Sequence, residues 1–243
     1  MHSSETPAFD LERLVPDTLS DDPIERDMLA LHLERYRFAA RFVRGRRVVD
    51  LACGVGYGSR LLADRGAASV TGVDISAESI AYARERYVRS GVTFTLADGM
   101  SYAPQERPDA VVSLETIEHV PDAEAFVARL SGWLPVGGVF VGSVPTTLST
   151  DVNPYHLHDF SAADFRALFR SVGLRVIDEL VQDQPFNPFG FLRLRGKARR
   201  GYGLRPGLAR WYARHPEMLA RRLGTTLRHG FKNRYLVLAG LRG

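Results

Sequence analysis

The chain has 243 residues, 45% of them hydrophobic, enough to bury a full core without disulfides or metals. Its single cysteine, Cys53, excludes an internal disulfide, and the polar, acidic opening MHSSETPAFDLERL has neither signal nor transit character, so a reducing, cytoplasmic setting is expected. No apolar run approaches the length of a membrane span, and the formal net charge of +4 hides an uneven distribution.

The first predicted element is a helix over DDPIERDMLALHLERYRFAARFV. Asp22 is its expected N-cap, Pro23 its first helical residue, and Glu25 closes a capping-box-like pair. Ile24, Met28, Leu31, Phe38 and Phe42 share one face. Short apolar runs predict strands over 47–51, 69–74, 92–97, 109–114 and 137–143, with helices between them capped by Ser76 and Asp122. A further helix begins at Ser161, with Asp164 three residues on, and stops at Gly173. LRVIDELV and RYLVLAGL close the chain as β segments. This alternation predicts a doubly wound α/β sheet.

The segment VVDLACGVGYGS, residues 48–59, carries the chemistry. Glycines at a strand-to-helix turn admit a ligand close to the backbone and the helix N-terminus, which fits a dinucleotide or S-adenosylmethionine equally. Asp50 decides between them. A carboxylate four residues before Gly54 would repel a pyrophosphate but attracts the ammonium of S-adenosylmethionine. The dinucleotide fingerprint would also need glycine at position 59, where the chain has Ser59. Asp74 ends the second strand and can take both ribose hydroxyls. Asp98 and Gly99 end the third and can meet the adenine edge. Ile75 and Glu115 complete the candidate cofactor set of Asp50, Gly54, Gly56, Asp74, Asp98 and Gly99.

These segments, with ERYRFAARFVRGRR ahead of the glycine turn and SLETIEHV, LPVGGVF and NPYHLHDFS after it, resemble the class I S-adenosylmethionine-dependent methyltransferases over nearly the whole chain. The nearest likeness is to bacterial small-molecule and sugar O-methyltransferases of polysaccharide biosynthesis. The resemblance implies a Rossmann-like seven-stranded sheet with an antiparallel last strand and the cofactor across the strand ends. It divides the chain into an N-terminal helical cap (1–45), a cofactor-binding core (46–183), a basic helical insertion (184–233) and the final strand (234–243).

Methyl transfer is an in-line displacement, so the protein must align the nucleophile, exclude water and remove a proton from a hydroxyl acceptor. Glu115, Glu118 and His119 fall where the fold implies that chemistry, and their spacing places them on one side of a helical turn. Three readings stay open. His119 is a general base oriented by Glu118; or Glu115, Glu118, His119 and His156 hold Mg²⁺ or Mn²⁺; or Glu118 and His119 serve the fold alone. The metal reading rests on a similar E-x-x-E-H pattern in plant small-RNA 2′-O-methyltransferases and a eukaryotic ubiquinone-pathway O-methyltransferase. His156 is preferred to His158 only because it matches their distal ligand. Tyr155 is a candidate wall of the acceptor pocket.

The insertion is lopsided in charge. From Arg193 to Arg234 there are thirteen Lys and Arg against the single acid Glu217, a net +12, while the rest of the chain is −8. Leu208, Trp211, Tyr212, His215, Leu219 and Leu223 repeat at helical spacing, Pro216 interrupts them, and Phe186, Phe189 and Phe191 precede them. One expectation is that this apolar stripe packs on the sheet as a lid with its arginines in solvent. The others are contact with an anionic membrane surface, a phosphorylated acceptor or nucleic acid. The leading expectation is O-methylation of a sugar hydroxyl on an anionic glycan precursor. A quinone-like or lipid-associated acceptor is the alternative, RNA ranks third, and a non-catalytic S-adenosylmethionine-binding scaffold last. Oligomeric state leaves no mark in the sequence.

Overall fold

The computed structural model describes residues 16, 23–185, 205 and 207–243, with the side chains of 23–25 outside that description. Asp22 as a cap, the Glu25 pairing, Ile24 and the phenylalanines at 186, 189 and 191 therefore lie outside the described residues.

Helix α1 (Pro23–Ala39) ends in a 3₁₀ turn, Ala40–Phe42. The order is then β1 (Arg47–Leu51), α2 (Tyr57–Asp64), β2 (Ser69–Asp74), α3 (Ala77–Arg86), β3 (Val92–Leu96) and β4 (Ala110–Leu114). A 3₁₀ turn at Ile117–His119 leads to α4 (Ala123–Trp133), β5 (Val139–Pro145), α5 (Ala162–Ser171) and β6 (Leu174–Pro185). Helices α6 (Leu208–Arg214) and α7 (Pro216–His229) precede β7 (Lys232–Arg242). The sheet runs β3-β2-β1-β4-β5-β7-β6. β1 to β5 are parallel, and β7 is antiparallel to β5 and β6, as the resemblance implied. From β1 the order departs in both directions, which makes the C-terminal ends of β1 and β4 the crevice of the sheet.

Period-two alternation fills both faces. Val48, Ala110, Val112, Val139 and Val141 point toward α1 and α2, where Tyr36, Val43 and Leu62 pack. Val49, Val111 and Phe140 point the other way, onto Phe126, Leu130, Phe165 and Phe169 of α4 and α5. Local caps form as read. Ser76 accepts from the Ser79 N–H, Asp122 from the Ala125 N–H, and Ser161 with Asp164 makes a reciprocal capping box. Such caps are worth about 1 kcal/mol each. β5 starts two residues later than expected because Gly137 and Gly138 belong to the turn before it.

Pro216 separates α6 from α7 and opens the second helix, as expected. The expectation for the apolar stripe is reversed on α7. Arg222 turns inward and pairs with the fully buried Asp151, while Leu223 and Leu227 are 55% and 89% exposed. Asp151 also accepts from Tyr212 Oη at 2.5 Å, and Arg205 donates to the carbonyls of Asp151 and Thr150 at 3.0 and 2.9 Å. A buried carboxylate needs such partners, and its cation comes from the insertion.

Candidate active site

The turn after β1 is shaped by close packing. Gly56 caps α2 at φ 89°, and a Cβ there would stand 2.7 Å from Ala83 and from the Phe94 ring. At Gly58 a Cβ would stand 1.9 Å from the Tyr36 ring. The Tyr36 hydroxyl donates to both oxygens of Asp50 at 3.3 Å, and Ser59 Oγ donates at 2.6 Å. Burial pushes the Asp50 carboxyl up to about 7 against these hydrogen bonds, with the charge of Asp74 adding to the rise. Asp50 therefore lies beneath the turn and is not among the residues that line the cavity above it. Gly56 likewise sits behind the cavity wall. Cys53 is buried, and burial pushes its thiol up, away from a reactive thiolate.

The cavity measures about 450 Å³, within the usual range for a small-molecule site. Gly54, Asp74, Ile75, Asp98, Gly99 and Glu115 line it, so most of the candidate cofactor set converges at the strand ends. Asp74 accepts from the Gly54 N–H at 2.8 Å and the Ser76 N–H at 2.9 Å, tying the turn to the end of β2. Its carboxylate lines the cavity, where a ribose hydroxyl would meet an acceptor. Ile75 and Met100 expose apolar side chains on the wall, surfaces suited to the faces of a nucleobase. Asp98 accepts from the Met100 N–H at 2.9 Å. These residues fit a nucleoside carrying a cationic amino acid.

α1 and α2 add His32, Tyr36 and Tyr57 to the cavity, none of which was among the candidate site residues. Burial, then the nearby charge of Arg35, lowers His32 to about 3, and its Nδ1 lies 3.2 Å from the Tyr57 hydroxyl. The available signal was polar aromatics four apart, His32 and Tyr36, inside an otherwise apolar helix face.

At the end of β4 the three-and-four spacing does not gather all its residues. Glu115 has φ 51°, so the chain leaves β4 through a left-handed residue before the 3₁₀ turn. Its carboxylate accepts from Ser143 Oγ at 2.7 Å and faces Arg35 at 3.6 Å. Glu115 thus stands apart from the metal candidates, among which Glu118, His119 and His156 do converge, with ligand atoms all within 4.8 Å of one another. Glu118 is fully buried.

His119 lines the cavity, and its Nδ1 lies 3.2 Å from the Tyr155 carbonyl. A carbonyl only accepts, so Nδ1 carries the proton and Nε2 the basic lone pair. The Glu118 carbonyl accepts from the Leu157 N–H at 2.8 Å, strapping the loop after β5 against this turn. His156 stacks edge-on to His119, ring centroids 4.6 Å apart, with Nδ1 2.8 Å from Ser149 Oγ. Burial, then the charge of His119, lowers His156 to about 4. His158 donates from Nε2 to the Val120 carbonyl and is a strut.

Residues 49–142 match the family model described as a methyltransferase domain. The chain is 34% identical over 152 residues to a probable S-adenosylmethionine-dependent methyltransferase of Mycolicibacterium smegmatis, covering 60% of this chain and 58% of that protein. It is 35% identical over 127 residues to a ubiquinone biosynthesis O-methyltransferase of Chelativorans sp., covering 51% and 50%. The chain thus spans little more than half the length of these relatives. The magnesium protoporphyrin IX methyltransferase of Synechocystis, solved with bound S-adenosylhomocysteine, superposes with a TM-score of 0.63 over 93% of this chain and 89% of that one; at 16% identity this shows the fold. Residues 49–142 thus match a methyltransferase domain, and the relatives they resemble include a probable S-adenosylmethionine-dependent methyltransferase.

Proposed function

We propose that the chain transfers the methyl group of S-adenosylmethionine to a hydroxyl, with a sugar or anionic glycan precursor as the acceptor class. One observation carries the hydroxyl: His119 lines the cofactor cavity with Nδ1 held by the Tyr155 carbonyl, so the neutral ring has Nε2 as its basic atom. The bound cofactor supplies a sulfonium whose methyl carbon is already activated. Asp74, Ile75, Asp98 and Gly99 would hold the nucleoside, and the turn at Gly54 the amino acid end. His119 removes the acceptor proton as the hydroxyl oxygen approaches the methyl carbon. His156 stays neutral beside it, so the imidazolium formed on His119 meets no like charge. The strapped loop around Tyr155 helps keep water out.

The glycan class draws support from the uncompensated positive charge of the insertion. Arg205 and Arg222 are engaged internally, which leaves the exposed Arg210, Arg214 and Arg228 for an anionic acceptor. A quinone-like acceptor is supported by Val120, Pro121 and Phe126 in the cavity wall and by the Chelativorans relative. The convergence of Glu118, His119 and His156 supports a second mechanism, in which Mg²⁺ or Mn²⁺ bound there lowers the pKa of the acceptor hydroxyl.

Transfer of a labelled methyl group from the cofactor into fractionated cell extract tests the acceptor. Label in glycan is the expected result. Label in quinone or RNA replaces that class, and no label with intact cofactor binding leaves a scaffold. Activity unchanged by EDTA rejects the ion. In calorimetry with S-adenosylhomocysteine, Asp74→Ala should weaken binding by about 1–3 kcal/mol. Unchanged affinity removes Asp74 from the site.

A further inference from the structure

Helix α7 faces outward with the side a soluble helix would hide. Leu219, Leu223 and Leu227 follow one another at intervals of four, so they form one row along the helix, 39%, 55% and 89% exposed. Phe231, just beyond the helix end, is also exposed. The flank next to Leu219, which carries Arg222, is the side that packs. Arg222 gives Nε to Asp151 Oδ2 at 2.7 Å and a second nitrogen to the Leu148 carbonyl at 2.7 Å. The helix therefore cannot roll to bury its leucines without stripping a buried carboxylate of its cation.

Exposed cations share α6 and α7 with the row, those of α7 on the side of the helix away from the leucines. Arg221 and Arg228 are exposed on α7, Arg210 and Arg214 on α6, and Glu217 is the only acid between Arg193 and Arg234. Arg221 reaches Asp159 only at 3.4 Å and remains 56% exposed.

We propose that this face of α7 lies on an anionic lipid bilayer, with Leu219, Leu223 and Leu227 in the acyl boundary and the arginines of α6 and α7 among the headgroups. Charge complementarity selects the occupant. A protein partner would have to present a shaped surface to one convex helix, whereas a bilayer offers apolar depth and diffuse negative charge to any convex row. The inference shares its exposed arginines with the anionic-acceptor reading, but the vesicle test contains no acceptor, so the two can fail separately. Because α7 is pinned through Asp151 to the loop that carries His156, docking would bring the cavity to a membrane surface.

The test is co-sedimentation of the full chain with vesicles of phosphatidylcholine, with and without phosphatidylglycerol, over a salt series. Binding is expected to the mixed vesicles, weak on pure phosphatidylcholine, and falling with salt. The double variant Leu223→Glu, Leu227→Glu should lower partitioning about tenfold or more while leaving the unfolding midpoint unchanged. Absence of wild-type binding to anionic vesicles overturns the proposal, as does undiminished binding of the double variant. A midpoint lowered by several degrees would show that the chain itself covers the row. A concentration-dependent dimer lost in the variant would show a second copy there, and RNA binding without vesicle binding would assign the charge to nucleic acid. Each of these outcomes also overturns the bilayer.

Discussion

Two buried aspartates, one on each side of the cavity, are held in opposite ways. Asp50, under the glycine turn, is 1% exposed and has only hydroxyl donors, Ser59 and Tyr36, so burial lifts it to about 7. Asp151, under the insertion, is 0% exposed and has Arg222, Tyr212 and the Val152 N–H, which hold its carboxyl below the usual range against the same burial. Asp151 has a guanidinium and a backbone N–H that Asp50 lacks, and Asp50 has the charge of Asp74 against it. The contrast teaches that the insertion side is built around a fixed ion pair, whereas the cofactor side keeps an acid that can answer a positive charge brought to it.

The largest effect expected from breaking this comparison is at Arg222→Met. Removing one partner of a buried pair should cost about 3–5 kcal/mol in urea unfolding. A loss of less than 1 kcal/mol, about the value of a surface pair, would show that Asp151 is solvated. Gly58→Ala comes next. Its new methyl meets the Tyr36 ring, and overpacking should cost about 1–3 kcal/mol while disturbing the donor to Asp50. Asp50→Asn, by contrast, removes a carboxyl already half protonated at neutral pH and should cost about 1 kcal/mol. A loss as large as that at Arg222 would erase the distinction between the two acids.

Acid titration gives the smallest effect, spread over several groups. His32 and His156 are lowered in the fold to about 3 and about 4 from 6.5, so the unfolded chain binds their protons first. Their contribution is complete above pH 6.5 and is lost as pH falls toward 4. Asp50 has the opposite sign, because its raised pKa favours the fold below pH 3.8 and that advantage fades as pH rises through 7. The thermal midpoint should therefore drop between pH 6.5 and 4, and less steeply in His156→Asn. A slope unchanged by that substitution would remove His156 from the account.

Much of the fold was legible because its determinants are local. The runs over 47–51 and 69–74 end where β1 and β2 end, and Ser76, Asp122 and the Ser161–Asp164 box cap the helices that they announce. The site was legible where a motif follows a strand, as at Gly54, Asp74 and Asp98. Glu115 lines the cavity but does not join Glu118 and His119, because a helical-spacing argument assumes a helix and the chain there takes a left-handed residue and a 3₁₀ turn. The facing of α7 was hidden for another reason. Periodicity reports two sides of a helix, but the choice between them is made by Asp151, 71 residues away from Arg222.

The position of β7 between β5 and β6 sets an order of events during synthesis. β6 leaves the ribosome before any strand exists beside which it can pair, and it must wait for the whole connection over 186–231 to follow. Through that interval Ile177 and Val181, solvent-exposed even in the finished sheet, belong to an open edge. A nascent chain stalled there would offer a chaperone, or another such chain, an unmated strand.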